Sequence, residues 1–225
     1  MKITYLGHAS LHIEFGDTSI IVDPFITGNP MASIIDINSL EADYILVTHA
    51  HQDHILDVET IAKNTGATIV SNYEVAMHYG AKEFNIFPMN HGGTYTTEVF
   101  SAKYVNAIHT SSFPDGSYGG QPGGFVLTAN GKSIYIAGDT ALTYDMKLIP
   151  LHTQLDLAIL PIGDTFTMGV DDAVIASDFV ACDKVLGYHY DSFPPIKIDH
   201  DLAQKTFADN DKELILLGIG ESLDV

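Results

Sequence analysis

The stretch Tyr44-Ile-Leu-Val-Thr-His-Ala-His-Gln-Asp-His54 decides how this chain is read. Its first four residues have the apolar, β-branched character of a short buried strand. Directly after them His49, His51, Asp53 and His54 crowd into six residues, too densely for all four to be packing side chains. Imidazole nitrogen and carboxylate oxygen suit zinc, manganese or iron, and a loop leaving the carboxyl end of a strand lets alternate side chains converge on one point. A solvated polar loop is the plain alternative, but it leaves the further metal-ligand candidates downstream without a role.

Upstream, alternating apolar residues predict strands at 2–6, 11–15 and 19–22, with His12 turned to solvent and Asp23-Pro24 ending the meander. Gly28-Asn29-Pro30 then breaks the chain into a loop or short helix through Leu40. Downstream, a helix at 57–64 stops at Gly66, a strand follows at 68–71, and a second helix at 72–79 carries His78 as a surface histidine. Short strands between 84 and 107 deliver His109. The glycine-rich loop 110–124 suits close approach to a ligand, a moving lid or an ordinary turn. Strands at 125–128 and 133–137 close a hairpin on Asn130-Gly131 and end in Gly138-Asp139-Thr140.

The remainder alternates: strand 157–160, helix 171–181, strand 184–187 leading to His189, helix 199–208 and strand 213–217. This pattern predicts an α/β chain folded as one domain over 1–225, a four-layer αββα sandwich of two mixed β-sheets. The cluster at His49 to His54, His109, Asp139 and His189 all follow the carboxyl ends of expected strands, where α/β folds gather ligands.

With 46% hydrophobic residues the chain can bury a sizeable core. Its formal charge of −19 combines 29 acidic residues with ten lysines and no arginine. Without the guanidinium fork, and in so negative a field, nucleic acid and anionic membranes are not expected partners. Cys182 is alone, so it forms no intrachain disulfide and the metal is not held by a thiolate cluster. No charged-then-apolar leader and no membrane-length apolar run is seen, so a cytoplasmic location is expected. Surface aromatics are compatible with a homo-oligomer.

The order His49-x-His51-x-Asp53-His54, His109, Gly138-Asp139-Thr140 and His189 resembles the metallo-β-lactamase superfamily. Further matches are Gly7-His8-Ala9-Ser10, Asp23-Pro24-Phe25, Gly119-Gly-Gln-Pro-Gly-Gly-Phe125, Phe166-Thr-Met-Gly169 and Phe193-Pro-Pro-Ile196. They are similar to an uncharacterised family of predicted metal-dependent hydrolases related to L-ascorbate-6-phosphate lactonase, and more distantly to the phosphodiesterase that releases N-acyl ethanolamines. The resemblance implies an αββα sandwich with two divalent ions in a cleft between the sheets. It implies that His49, His51 and His109 hold one ion, that Asp53, His54 and His189 hold the second, and that Asp139 bridges them. It places Asp23 behind a liganding imidazole, as its hydrogen-bond partner, and His8 near the cleft as a substrate contact or proton donor. The one departure is Gly123, where alanine is more usual.

With two divalent ions, two carboxylates, five neutral imidazoles and a shared hydroxide, such a site keeps a net charge of about +1, which welcomes an anionic or polarised oxygen. The chemistry implied is hydrolysis of a small-molecule ester, lactone or phosphoester. The shared hydroxide is then the nucleophile, and Asp53 orients it as well as binding metal. Zinc leads on the nitrogen-rich donor set, with manganese and iron as alternatives. Candidates to protonate the leaving group are His8, Tyr118 and Asp115, and Lys103, Lys132 or Lys197 could anchor an anionic tail. The rival readings are a nuclease or phosphodiesterase of this fold and a di-iron redox or sensor protein; relatives of the latter kind usually carry glutamate where this chain has His51.

Overall fold

The computed structural model describes residues 1–225. Strands β1 (Lys2–Gly7), β2 (Ser10–Phe15) and β3 (Thr18–Val22) pair antiparallel, since alternate residues such as Ile3, Leu11, Ile13 and Ile20 are apolar and share one buried face. Strands β4 (Tyr44–Leu46), β5 (Thr68–Asn72) and β6 (Ile86–Met89) then add in parallel. The second sheet repeats this plan. Strands β7 (Thr94–Thr96), β8 (Phe100–Asn106), β9 (Gly123–Ala129) and β10 (Lys132–Ile136) are antiparallel neighbours. Parallel strands β11 (Leu157–Pro161), β12 (Lys184–Tyr188) and β13 (Glu213–Ile215) follow. A last strand, β14 (Ser222–Asp224), returns to the free edge of β1, so each sheet has seven strands.

Parallel neighbours need crossovers, and helices supply most of them. The first sheet carries α1 (Gln52–Ile55), α2 (Val58–Thr65) and α3 (Tyr73–Gly80); the second carries α4 (Val170–Phe179) and α5 (His200–Ala208). Helix α2 stops where Gly66 takes a left-handed conformation, at φ 77°, that a side chain would resist. The Asn72 side chain accepts from Val75 N–H to start α3, and Asp199 caps α5 in the same way.

Three apolar clusters fill the layers. One lies between the sheets, joining Leu11, Ile13, Leu46 and Val70 of the first to Phe125, Leu127, Ile159 and Leu186 of the second. The other two sit under the outer helices, around Ile45, Ile61 and Tyr79 on one side and Leu160, Ala173 and Phe207 on the other. The fold is therefore the expected αββα sandwich of two mixed sheets.

Details differ from the expectation. Residues 28–40 form two short 3-10 turns, Pro30–Ala32 and Ile37–Ser39, too brief for an apolar periodicity to show. A further 3-10 turn at Tyr144–Leu148 and strand β14 were not expected; β14 is three residues at a sheet edge, stabilised by pairing with β1 rather than by its own pattern. His12 is half-buried rather than solvated, its Nε2 2.6 Å from Ser19 Oγ. No helix is long and apolar enough to cross a membrane.

Candidate metal centre

The side chains that the sequence spreads over residues 49–189 meet at one end of the sandwich. The first sheet delivers its share locally: His49 and His51 leave the end of β4, and Asp53 and His54 begin the single turn of α1. The second sheet delivers one side chain per strand, with His109 beyond β8, Asp139 beyond β10 and His189 beyond β12.

Ligand atoms within 4.8 Å of one another form one set at His49, His51 and His109, a second at His8, Asp53, His54 and His189, and a third where Asp23 lies behind His49 and His54. Asp139 spans the first two. Its Oδ2 lies 3.4 Å from His109 Nε2 and 4.0 Å from His49 Nε2 in the first set, and 3.1 Å from His189 Nε2 in the second, while Oδ1 lies 3.3 Å from His54 Nε2. His49, His54, Asp139 and His189 are buried, whereas His51, Asp53 and His109 are partly exposed and mark the open side.

Asp23 lies behind this cluster. Fully buried, it accepts Thr48 N–H at 2.8 Å and Thr48 Oγ1–H at 2.6 Å, and His54 Nδ1 stands 2.8 Å from the same carboxylate. A carboxylate only accepts, so His54 carries a proton on Nδ1 and presents Nε2 toward Asp139. The Thr48 hydroxyl donates to Asp23, so at 3.0 Å its oxygen accepts from His49 Nδ1, and the unprotonated Nε2 of that ring lies 3.0 Å from His51 Nδ1. One carboxylate thus sets two tautomers. The sequence shows Asp23 as a candidate for this task; Thr48 has no motif of its own beyond standing next to His49.

Buried atoms in the centre lack partners. His54 Nε2, Asp139 Oδ1 and His189 Nε2 are shielded from solvent and make no hydrogen bond. Orphaned polar atoms are costly, and three converging ones whose neighbours are nitrogen and carboxylate oxygen fit a divalent cation. The electrostatics ask for positive charge at the same place. Burial alone would lower the His54 pKa, yet Asp139 and Asp23 on its two sides raise it well above the ordinary histidine value. Burial works to raise Asp139, but the His189 and His54 rings outweigh it and hold that carboxyl well below the usual range.

His8 lies beside the donors but is buried. Its ring is buried between Phe25, Phe193 and His189, with Nε2 3.0 Å from Asp53 Oδ2. Burial, followed by the nearby His189, pushes its pKa down to about 4, so the ring is neutral at pH 7 and donates from Nε2 to Asp53. Burial would raise the Asp53 pKa, but the His8 hydrogen bond and the His54 charge hold that carboxyl far below its usual range. The backbone tolerates much here: His8, Asp23 and His189 have φ of 55°, 42° and 55°, a left-handed region in which His and Asp are commoner than most residues. The His189 N–H donates to the His8 carbonyl at 2.8 Å, stitching the second sheet to the first beside the donors.

The glycine-rich loop is a fixed wall. Ser111 Oγ accepts Ala50 N–H, Asn72 Nδ2 donates to the Gly119 carbonyl, and a Cβ on Gly119 would stand 2.3 Å from the Ala50 Cβ. Ala50 separates His49 from His51, so this close approach holds the donor loop in place. Gly123 has a reason of its own: a Cβ there would lie 2.5 Å from Tyr104 Cζ, so alanine would need that ring to shift. Tyr118 on this loop is exposed, and Asp115 accepts from Ser117. His78 stays outside the centre, stacked on Phe113 at 4.0 Å. No lysine bonds to a donor: Lys132 pairs with Asp156, and Lys103 and Lys197 line cavities elsewhere.

The chain is similar to known proteins in sequence and in fold. Residues 2–189 match the family model described as a beta-lactamase superfamily domain. A UPF0173 metal-dependent hydrolase from Flavobacterium johnsoniae is 67% identical over 225 residues, covering all of both chains. One from Christiangramia forsetii is 64% identical over 226 residues, again across both whole chains. Among solved structures, Igni18, a metallo hydrolase from the archaeon Ignicoccus hospitalis, superimposes with a TM-score of 0.90 at 30% identity, over 99% of this chain and 97% of the other.

Proposed function

The chain belongs to the metallo-β-lactamase superfamily as a metal-dependent hydrolase, and from that premise we propose that it uses two divalent ions to open a small ester, lactone or phosphoester. The observation that carries the two-ion reading is Asp139, a single buried carboxylate within 4.0 Å of ring nitrogens from both donor sets. His49, His51 and His109 would hold one ion, Asp53, His54 and His189 the other, and Asp139 would serve both. Zinc suits the donor set best, with manganese or iron as alternatives. Divalent ions in this place supply Lewis acidity toward a carbonyl or phosphoryl oxygen and lower the pKa of water toward roughly 7.

The protein's own groups do the rest. Asp23 and Thr48 hold the Nδ1 protons of His54 and His49, so Nε2 is the atom each ring presents inward, and on His54 a divalent ion would take the place of the Nε2 proton that the flanking carboxylates favour. His8 fixes one Asp53 oxygen and keeps the carboxylate ionised, so its more exposed oxygen is available to bind metal and to orient a water by accepting its hydrogen bond. The partly exposed ring of His109 and the exposed Tyr118 border the open side.

A small-molecule substrate is favoured over nucleic acid by the −19 charge and the absence of arginine. Any attraction for an anionic substrate would come from the bound ions, because no lysine reaches the donors. The test is metal content together with turnover on a matched panel. Zinc- and manganese-loaded protein would be assayed on sugar-acid lactones and on an activated phosphodiester, with Asp139→Ala as the blank. Two metal equivalents and faster lactone opening support this reading. Faster phosphodiester cleavage supports the phosphodiesterase alternative, and one equivalent per chain refutes the two-ion site.

A further inference from the structure

Away from the metal centre, a cavity of about 340 Å³ opens on the outer face of the second sheet. Its floor contains a row across three strands: Lys103 on β8 pairs with Val126 on β9, which pairs with Tyr135 on β10, so all three side chains leave the sheet on the same face. The opposite wall is the segment after Asp139, with Met146 and Ile149 facing the row. Asn106 Nδ2 ties that wall to β8 by donating to Asp145 Oδ2 at 2.5 Å.

One feature separates this cavity from an ordinary packing gap. Lys103 makes no ion pair in a chain with 29 acidic residues, while Lys132 on β10 pairs with Asp156. An unpaired cation beside an apolar floor and wall forms a chemical complement to one kind of molecule.

We infer that this cavity is a second ligand site, for a small amphipathic anion such as a medium-chain carboxylate. The apolar body lies against Val126, Met146 and Ile149, and the carboxylate pairs with Lys103. The site is distinct from the hydrolytic centre and stands whichever substrate that centre takes.

Calorimetric titration of the zinc-loaded full chain with octanoate, and with the neutral octanamide, tests the assignment. Octanoate is expected to bind saturably and octanamide about tenfold more weakly. Lys103→Met should weaken octanoate about tenfold and Val126→Trp, which fills the cavity, should abolish its binding, with zinc content unchanged in both. Lys103 is only half-buried, so its variant keeps the test decisive if Val126→Trp fails to fold. Absence of saturable binding overturns the proposal. So does equal octanoate affinity in the parent and Lys103→Met, which would place the carboxylate on the zinc ions, and so does octanamide binding as well as octanoate.

Discussion

The two sheets contribute to one centre in opposite ways. The first gives His49, His51, Asp53 and His54 from a single loop and turn, backed by one buried carboxylate, Asp23. The second gives His109, Asp139 and His189 from the ends of three strands, with no comparable local brace. The first half is organised by hydrogen bonds to Asp23 and His8, which the same sheet brings up behind the motif. The second depends on strand register and on the apolar core that holds one sheet against the other.

The sharpest break would come at the one residue common to both donor sets. Asp139→Ala is expected to lower turnover by about 10³-fold or more and to reduce bound metal, read by steady-state assay and elemental analysis. Retention of two metal equivalents would show that each half holds its ion alone. Next in size is Leu186→Ala, in the core three residues before His189. It should cost about 2–5 kcal/mol in denaturant unfolding and weaken the ion held by His189 more than the other. If both ions weaken equally, the second half is not the more core-dependent one.

Asp23→Asn addresses the first half. The amide can present a donor to His54 Nδ1–H or to the Thr48 hydroxyl where the carboxylate only accepted, so affinity for metal should fall roughly 10–100-fold, measured by chelator competition. Unchanged affinity would mean that the tautomers are set without Asp23. Smaller still is His8→Asn, chosen because asparagine tolerates the left-handed backbone. Metal content should persist while kcat falls about tenfold, through a less well oriented Asp53; unchanged kcat would make His8 a packing residue. The least effect is expected from Lys132→Met. Its surface pair with Asp156 contributes no more than ~1 kcal/mol, and turnover should be unaltered, whereas a raised KM would return it to substrate binding.

The legibility of the chain follows the same division. The loop His49 to His54 is readable because ligand spacing and strand end coincide within a few residues. His109, Asp139 and His189 taken singly are ordinary loop residues, and it was their order, and its likeness to a known family, that joined them. The Gly-His-Ala-Ser motif carries no sign of depth: His8 lies beside Asp53, as expected of a residue near the cleft, but its ring is buried by Phe25 and Phe193, which lie far from it in sequence. Thr48 was missed for a related reason, since its hydroxyl matters only once Asp23 stands behind it.

The sequence by itself determined the alternation of strands and helices, the polar donors at strand ends and the absence of arginine. These depend on side-chain chemistry and on periodicities of a few residues, which a linear chain displays. The tertiary structure alone decided that Asp139 lies between both donor sets, that His8 sits behind Asp53, and that Lys103 and Tyr135 share a cavity. Those relations arise from packing two sheets face to face and from cross-strand register, which bring together residues whose separation along the chain says nothing about their distance in space.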